Sequence, residues 1–505
     1  MYPTLTHRQV LVIFSGLMLG MLLAALDQTI VSTALPRITG DLGGLEHLSW
    51  VISAYLLAST LGMPLYGKLG DLFGRKLLFQ VAIGVFLAGS FLAGLSHSMS
   101  QLIALRAVQG LGAGGLMVLA QSIIAETVSP RQRGRYQGYF GAAFGLASIA
   151  GPLIGGFITD NLSWRWVFYV NVPFGILALV VISMVVPAGD RHVSPRIDVA
   201  GVALLSASVG LLVLITTWGG VERPWGSSFM VTAMGLDLLL FGTLIAVELR
   251  AVEPIIPVHL FRLRAVSTAT SVSFMVGAAL FGSLAFLPLY LQSVTGASAT
   301  ASGLALFPMM GGVLISSITS GRLITRTGRY KIFPIIGTAL ATLGFALLAT
   351  LSADTPRWRV SAFMLVCGLG MGFVMQVVII AIQNAVPIAD LGAATGTANF
   401  FREIGGSIGI AALGTVFTTN LTHRLGTKVS GSTLNIDAIK ALPADQHRFV
   451  VHALATSVAH VFVFAVPVMV VGFVLTWLMP EVPLRHSVDV PLEADVPGAA
   501  LVEVA

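Results

Sequence analysis

Asp27 is a carboxylate within a long apolar run that begins at Val10 and ends near Ala34. An ionisable side chain at the centre of a membrane-spanning helix costs roughly 2.5–3.5 kcal/mol on insertion scales, so such a residue is a functional candidate. Arg106 lies inside another apolar run, where its guanidinium keeps its charge and must be paired. Asp27 and Glu403 are its candidate partners. Such a set can bind protons reversibly, because Arg106 lowers the proton affinity of a nearby carboxylate.

Arg402 and Glu403 form a second charged group, inside the apolar run 393–417. Neighbouring residues of a helix point about 100° apart, so we expect the two side chains to face different surfaces. One would face a cavity and the other would pair with another helix. For both groups of charges, a purely structural ion pair is the alternative to a role in proton coupling.

The composition is that of an integral membrane protein. Hydrophobic residues make up 56% of the 505 residues and charged residues only 10%, whereas soluble chains carry about 25% charge. Fourteen apolar runs are long enough to span a bilayer. They lie near 10–34, 47–66, 77–95, 101–124, 136–158, 166–186, 198–217, 229–247, 266–291, 301–321, 332–351, 360–382, 393–417 and 454–479.

The loops between these runs predict the orientation. An even number of spans places both termini on one side, and the loops of that side hold 17 Lys and Arg against 9 in the opposite loops. Because basic loops stay in the cytosol, both termini are predicted to be cytoplasmic and the protein to lie in the cell (inner) membrane. The net charge of +6 comes from these loops, so nucleic acid is not an expected partner.

An internal repeat divides the chain. Residues 67–75 (GKLGDLFGR) align with residues 321–329 (GRLITRTGR), sharing both glycines, the leucine and the last arginine. This alignment registers spans 1–6 onto spans 9–14, an arrangement typical of transporters built from repeats. The predicted domains are a first half 1–197, two inserted helices 198–250, a second half 251–479 with an outer loop 418–453, and a disordered cytosolic tail 480–505.

Five motifs together resemble the major facilitator superfamily, and in particular its fourteen-helix drug:proton antiporter branch, the QacA/EmrB-like group. They are LDQTIVSTALP (26–36), GKLGDLFGRKLL (67–78), LIALRAVQGLGAGG (102–115), GAAFGLASIAGPLIGGF (141–157) and WRWVFYVNVPFG (164–175). The resemblance implies an all-α integral membrane fold of two six-helix halves plus two inserted helices. It also implies a transporter. The sequence shows no metal-ligand spacing, phosphate loop or nucleophile motif, so we expect no metal, no cofactor and no enzymatic activity.

The first copy of the repeat is expected to form a conformational latch. Gly67 and Gly74 allow a sharp turn between closely packed helices, and Asp71 suits the positive end of a helix with Arg75 nearby. The resemblance implies that these charges hold one state and separate during transport. The second copy has Thr325 in place of Asp71, so the latch is predicted to be asymmetric. A plain basic topological anchor is the alternative.

Span 5 contains Gly151, Pro152, Gly155 and Gly156. Small residues four apart allow two helices to approach closely, and the proline adds a kink. Tight packing alone explains this pattern. The resemblance implies in addition that the motif seals an interface against leakage, which favours exchange over symport.

The predicted function is a proton-coupled antiporter that exports hydrophobic or amphipathic, often cationic, compounds by alternating access. Proton coupling is assigned to Asp27, Arg106 and Glu403, while Asp237 lies in the inserted pair and is not expected to act in transport. The expected cavity residues are flexible or aromatic: Phe281, Phe286, Met309, Met310, Met371, Met375 and Phe400.

Three alternatives to this function remain. They are export of an endogenous metabolite, lipid or antibiotic by the same fold, nutrient symport, and a membrane scaffold without flux. The expected partners are protons, small hydrophobic or cationic molecules and the lipid bilayer, with accessory export proteins as a further class.

Overall fold

The computed structural model describes residues 6–43, 47–186, 197–220, 223–297, 299–425 and 443–484, and in these ranges it is all-helical. The helices are α1 His7–Leu42, α2 Leu48–Phe73, α3 Arg75–Gly94, α4 Met99–Thr127, α5 Pro130–Asn161, α6 Trp166–Tyr169, α7 Asn171–Val185, α8 Val199–Trp218, α9 Ser228–Glu248, α10 Arg264–Ser293, α11 Ala299–Ala305, α12 Phe307–Thr327, α13 Ile332–Leu348, α14 Arg357–Ala385, α15 Leu391–Leu425 and α16 Ala444–Leu478.

Within the described residues, 12 helical segments are long and apolar enough to cross a membrane. Helices α6 and α7 together form one of them, Trp166–Val185. Helix α13 is a shorter apolar helix of 17 residues, and α2 is a 26-residue helix outside the twelve. The multi-pass helical architecture is therefore confirmed, whereas the predicted fourteen spans are not supported by this count.

The two copies of the repeat end in the same way. Gly74 directly follows α2 and has a φ of 94°, and Gly328 directly follows α12 and has a φ of 71°. Positive φ strongly favours glycine because a side chain would clash with the backbone there. The last glycine of each copy therefore turns the chain sharply into α3 or toward α13.

Apolar side chains form a separate core in each half. One cluster joins α1–α5 and α7, and the largest joins α10 with α12–α16. Helix α8 packs against α9 and also against α2 and α15. Across the middle of the molecule, α2 packs on α15 and α5 packs on α12.

Both of these cross-contacts are closest at the face of the bundle where α1 begins and α16 ends, here called the terminal face. A Cβ atom on Gly67 would clash with the carbonyl oxygen of Gly392, and one on Gly321 would clash with that of Gly134. Because the repeat registers α2 onto α12 and α5 onto α15, these are two copies of one glycine-to-glycine contact.

Two predicted boundaries change. Helix α15 extends to Leu425 and α16 begins at Ala444, so the described ends of the predicted loop 418–453 are helical. Residues 426–442 of that loop lie outside the described residues, as do residues 485–505 of the predicted tail.

The first residues of the tail are packed and not free. The Tyr330 hydroxyl accepts from the backbone N–H of Val482 at 3.0 Å and donates to the Pro480 carbonyl at 3.2 Å. The Asn384 side-chain amide donates to the Val482 carbonyl at 3.1 Å. Buried side-chain partners thus order residues that sequence polarity alone placed in a disordered tail.

The close packing of α3 on α4 predicts a stability effect. A Cβ atom on Gly112 would lie 2.5 Å from the backbone nitrogen of Phe86 and 2.7 Å from the Ala82 carbonyl oxygen. Gly112→Ala must therefore push the helices apart, and we expect a loss of about 1–3 kcal/mol. Gly84→Ala is the matched control, because nothing lies within 4 Å of its Cβ position. It should raise stability slightly. Thermal unfolding in detergent measures the stability of both variants. Equal midpoint temperatures for Gly112→Ala and Gly84→Ala would contradict the close packing of α3 on α4.

Candidate functional site

Asp27 of α1 and Arg106 of α4 form a fully buried ion pair. The Arg106 Nη1 donates to Asp27 Oδ2 at 2.5 Å, and the two side chains are 1% and 0% exposed. Of the two partners proposed from sequence, the structure places Asp27 against Arg106. In an apolar interior such a pair persists only if its remaining donors and acceptors are also satisfied.

Two amides complete the coordination of the Asp27 carboxylate. Gln109 Nε2 donates to Asp27 Oδ1 at 2.8 Å, and Asn171 Nδ2 donates to the same oxygen at 2.9 Å. Asn171 also donates to the Ser90 hydroxyl at 3.0 Å. With the arginine, Asp27 therefore accepts three hydrogen bonds. Sequence reasoning missed these amides, although Gln109 lies one helical turn after Arg106 and is polar in an apolar run.

Tyr55 of α2 separates this pair from the centre of the molecule. Its ring lies 4.1 Å from the Arg106 guanidinium carbon, and its hydroxyl donates to the Ala24 carbonyl at 3.0 Å. Arg106 also reaches the Val51 carbonyl at 3.4 Å. Tyr55 lines a narrow central cavity together with Glu403 and so links the buried pair to that space.

A larger cavity of about 450 Å³ lies between the two halves. It extends from Glu403 at mid-depth to the turn at Gly219 and Gly220 on the opposite face. Its walls come from α2, α8, α10 and α15. The inserted helix α8 supplies Thr216 and Thr217, which the sequence analysis did not place at a site.

Glu403 borders both the larger and the narrow cavity. Arg402 borders the narrow one as well, and its Nη2 lies 3.6 Å from Glu403 Oε1. The expectation that the two side chains face different surfaces is therefore wrong. The long arginine side chain can bend back toward its neighbour, which helix angles alone do not take into account.

The residues proposed from sequence for the cavity divide into two sets. Phe281 and Phe286 line the larger cavity, and Met375 and Phe281 line the narrow one. Four others line neither: Met309, Met310, Met371 and Phe400. The three methionines are packed in the core of the second half, and Phe400 packs with residues of α8 and α9. The structure therefore does not place these four residues at either cavity, because the rotation of their helices turns them away.

The predicted latch residues meet at the terminal face. Asp71 accepts hydrogen bonds from the backbone N–H groups of Gly392 at 3.0 Å and Ala393 at 2.8 Å, in the first turn of α15. Arg75 pairs with Asp71 at 2.6 Å and with Glu126 at 2.8 Å. A carboxylate at a helix N-terminus gains from the exposed N–H groups and the helix dipole. Asp71 therefore joins the two halves.

The second copy forms the corresponding contact without a carboxylate. The Thr325 hydroxyl accepts from the backbone N–H of Arg135 at 3.1 Å, in the first turns of α5. Arg131 donates to the Thr325 carbonyl at 3.0 Å and Arg133 donates to the Gln383 carbonyl at 2.9 Å. The geometry is repeated, and the anionic side chain is present only in the first copy.

Two glycines of the predicted packing motif in α5 lie against α1. A Cβ atom on Gly151 would clash with the hydroxyl of Thr29, and one on Gly155 with that of Thr33, both in α1. Gly156 has nothing within 4 Å of its Cβ position, so it does not require close packing here. Pro152 lies within the helix and is half-buried. The predicted packing motif thus acts inside the first half, beside Asp27.

Removing the Asp71 charge should open the terminal face. Asp71→Asn loses the pair with Arg75 and one of the backbone contacts, and a hydrogen bond to a charged group contributes about 1.5–3 kcal/mol. We expect a Cys introduced at the buried Ala394 to react with a soluble maleimide at least about tenfold faster in this variant. The native Cys367 is buried and gives a low background.

Asp41→Asn is the control for this measurement. Asp41 accepts from Trp164 Nε1 at 2.8 Å within the first half, away from the terminal face. Its loss should leave the labelling rate unchanged. Equal rates in the Asp71 variant and the parent would contradict a latch.

Comparison with known proteins agrees with this arrangement. The profile of the Major Facilitator Superfamily matches residues 17–410. The chain is 42% identical over 484 residues to an uncharacterised MFS-type transporter of Mycobacterium tuberculosis, covering 95% of this chain and 70% of the relative. It is 36% identical over 508 residues to the multidrug transporter protein MdtP of Bacillus subtilis, covering 94% of each.

A solved structure shows the same fold. The human organic anion transporter MFSD10 superimposes with a TM-score of 0.64 at 16% identity, covering 94% of this chain and 100% of that one. The prediction of a multi-pass transporter that is not an enzyme is therefore confirmed. The chain belongs to the Major Facilitator Superfamily.

Proposed function

We propose that this protein is a proton-coupled antiporter that exports hydrophobic or amphipathic, often cationic, compounds by alternating access. The observation that carries the proposal is the cavity between the halves, whose described lining is mainly apolar and contains one carboxylate, Glu403. A second carboxylate, Asp27, lies behind Tyr55 in a sealed pair. Together they provide a binding space and two groups that can hold protons.

The names of related proteins support export. Besides MdtP, the chain is 34% identical to multidrug resistance protein 3 of Bacillus subtilis over 497 residues, covering 95% of this chain and 97% of the relative. Export of an endogenous metabolite, lipid or antibiotic is the alternative, since the same cavity would serve it. A mostly apolar wall with one acid fits amphipathic cations best.

The topology belongs to the same proposal. Adding α2 and α13 to the 12 spans gives fourteen helices, as in the QacA/EmrB-like branch. The halves would then be residues 1–197 and 251–479, with the hairpin 198–250 inserted between them. With both termini in the cytosol, a cavity open at the opposite face and closed by Asp71 at the terminal face corresponds to an outward-facing state.

Proton binding at Asp27 requires that its pair with Arg106 loosens. In the described state three donors stabilise the charged carboxylate. Arg106 has alternative contacts close by, namely the Gln109 Oε1 at 2.8 Å and the Tyr55 ring. A shift of Arg106 toward these groups would free one oxygen of the Asp27 carboxylate for a proton. Motion of α2 changes the position of Tyr55 and can couple this shift to the cavity.

The energetics limit the stoichiometry. Exchange of one proton for a monovalent cation moves no net charge, so only the pH difference drives it, at about 1.4 kcal/mol per pH unit. A second proton adds about 2.3 kcal/mol per 100 mV, or roughly fifty-fold more accumulation. We propose Glu403 as the second site.

Asp27→Asn should abolish uphill export. The experiment measures accumulation of a fluorescent lipophilic cation in cells that express the wild type or the variant, with and without a protonophore. Wild type should keep the cation low and lose this effect with protonophore. The variant should resemble protonophore-treated cells, because it cannot exchange a proton.

Loss of Asp27 also leaves Arg106 buried without its anion, which can cost about 3–5 kcal/mol. The double variant Asp27→Asn with Arg106→Gln separates the two effects, because it removes both charges and restores a neutral interior. It should fold but still fail to export against a gradient. Active uphill export by the folded double variant would overturn the role of Asp27.

Glu403→Gln should lower the number of protons exchanged per substrate. In proteoliposomes, a membrane potential at zero pH difference should drive monovalent-cation export by wild type and not by the variant, because only a second proton makes the exchange electrogenic. The ratio from substrate flux and proton flux measured together is the readout. An unchanged ratio would exclude Glu403 as the second proton site.

A further inference from the structure

A second recess lies on the outside of the cavity wall, between α8, α9 and α15. This membrane-facing groove has a volume of about 600 Å³. Its walls are mainly apolar and aromatic, with Met234 and Phe241 on α9 and Trp225 at the opposite face. Among the described residues that line this groove, Asp237 is the one charged side chain.

Asp237 lies near the middle of the bilayer. It is nine residues after Ser228 and eleven before Glu248, which places it about 14 Å and 16 Å from the two ends of α9. Its side chain is half-buried, so part of it faces the groove. A carboxylate at this depth is costly unless it has a partner.

The described residues supply this carboxylate with one hydrogen bond. Ser208 of α8, itself 3% exposed, donates to Asp237 Oδ1 at 2.9 Å. Within the described part of the chain, Asp237 has no other hydrogen bond and no ion pair. The second oxygen is left for a ligand that enters the groove.

The groove and the larger cavity share a thin wall. Thr216, Ala411 and Thr415 border both spaces. Two side-chain contacts close this wall: Thr216 Oγ1 lies 3.0 Å from Ser407 Oγ, and Trp225 Nε1 donates to Thr415 Oγ1 at 2.9 Å. Rearrangement of neutral hydroxyl contacts is enough to join the two spaces, since no ion pair crosses the wall among the described residues.

We propose that the groove is a membrane-side binding site for hydrophobic organic cations, with Asp237 as the counter-ion. From this site such compounds reach the larger cavity. The site rests on the proposed export function for its role but not for its chemistry. A carboxylate selects a cation, and the aromatic rings of Trp225 and Phe241 favour one with delocalised charge. A compound dissolved in the bilayer meets this groove before it meets water. This proposal gives Asp237 a part in transport, which the sequence analysis did not expect.

Equilibrium binding in lipid nanodiscs tests the site with two probes of one shape and opposite charge. Tetraphenylphosphonium should bind wild type. Both proteins of the comparison carry Glu403→Gln, which removes the acid of the larger cavity. In that background, Asp237→Asn should weaken binding of tetraphenylphosphonium at least about tenfold. Tetraphenylborate should not lose affinity, because the variant removes a repulsive charge. Asp160→Asn, at an exposed end of α5, is the matched control.

The outcomes separate charge recognition from a structural role. Equal loss of both probes means that the groove has collapsed and overturns the proposal, as does unchanged binding of the cation. Asp237→Glu should restore most of the affinity for tetraphenylphosphonium, which a purely structural contact to Ser208 would not predict. Failure of wild type to export any compound in proteoliposomes would refute the proposed function. The binding measurement would still test the groove, because it does not depend on transport.

A cross-link tests passage through the wall. Thr216→Cys with Ser407→Cys adds the only two reactive thiols to a chain whose native Cys367 is buried. Oxidation should stop export of tetraphenylphosphonium while Asp237-dependent binding persists, and reduction should restore export. Full export by the oxidised protein would overturn the route from groove to cavity.

Discussion

Everything near the centre of the first half depends on keeping one buried charge pair satisfied. Asp27 and Arg106 lie where neither water nor lipid offers a hydrogen bond, so the protein must supply each partner. Gln109 and Asn171 do so from α4 and α7, and Tyr55 covers the guanidinium from α2. The helices of this half are thereby fixed relative to one another. Motion between the halves must either preserve these contacts or exchange them as a set.

The terminal face is closed by one geometry used twice, with different chemistry. Glycine pairs bring α2 against α15 and α5 against α12, and a side chain of each repeat accepts a hydrogen bond from a backbone N–H near the start of the partner helix. Asp71 does this with a full charge and Thr325 with a hydroxyl. A charge-assisted contact is roughly twice as strong as a neutral one. The two seams therefore differ in strength.

The cavity is built unequally by the two halves. The first half holds its acid in a sealed pair, whereas the second half exposes Glu403 to the cavity and holds Arg402 close by. Helix α8 of the α8–α9 hairpin supplies a third wall, and with α9 it encloses a separate groove around Asp237. The hairpin is thus part of the central architecture, because it stands between the cavity and the bilayer.

Much of this follows from the sequence alone, because hydropathy, glycine spacing and isolated charges are local properties of the chain. They predict the helical runs, the repeat and the importance of Asp27 and Asp71. The tertiary structure alone decides which side chains meet. It pairs Arg106 with Asp27, recruits Asn171 from a distant helix, and turns Met375 toward the cavity while Met371 packs in the core. Partner choice depends on helix rotation and crossing, and those are set by the whole bundle.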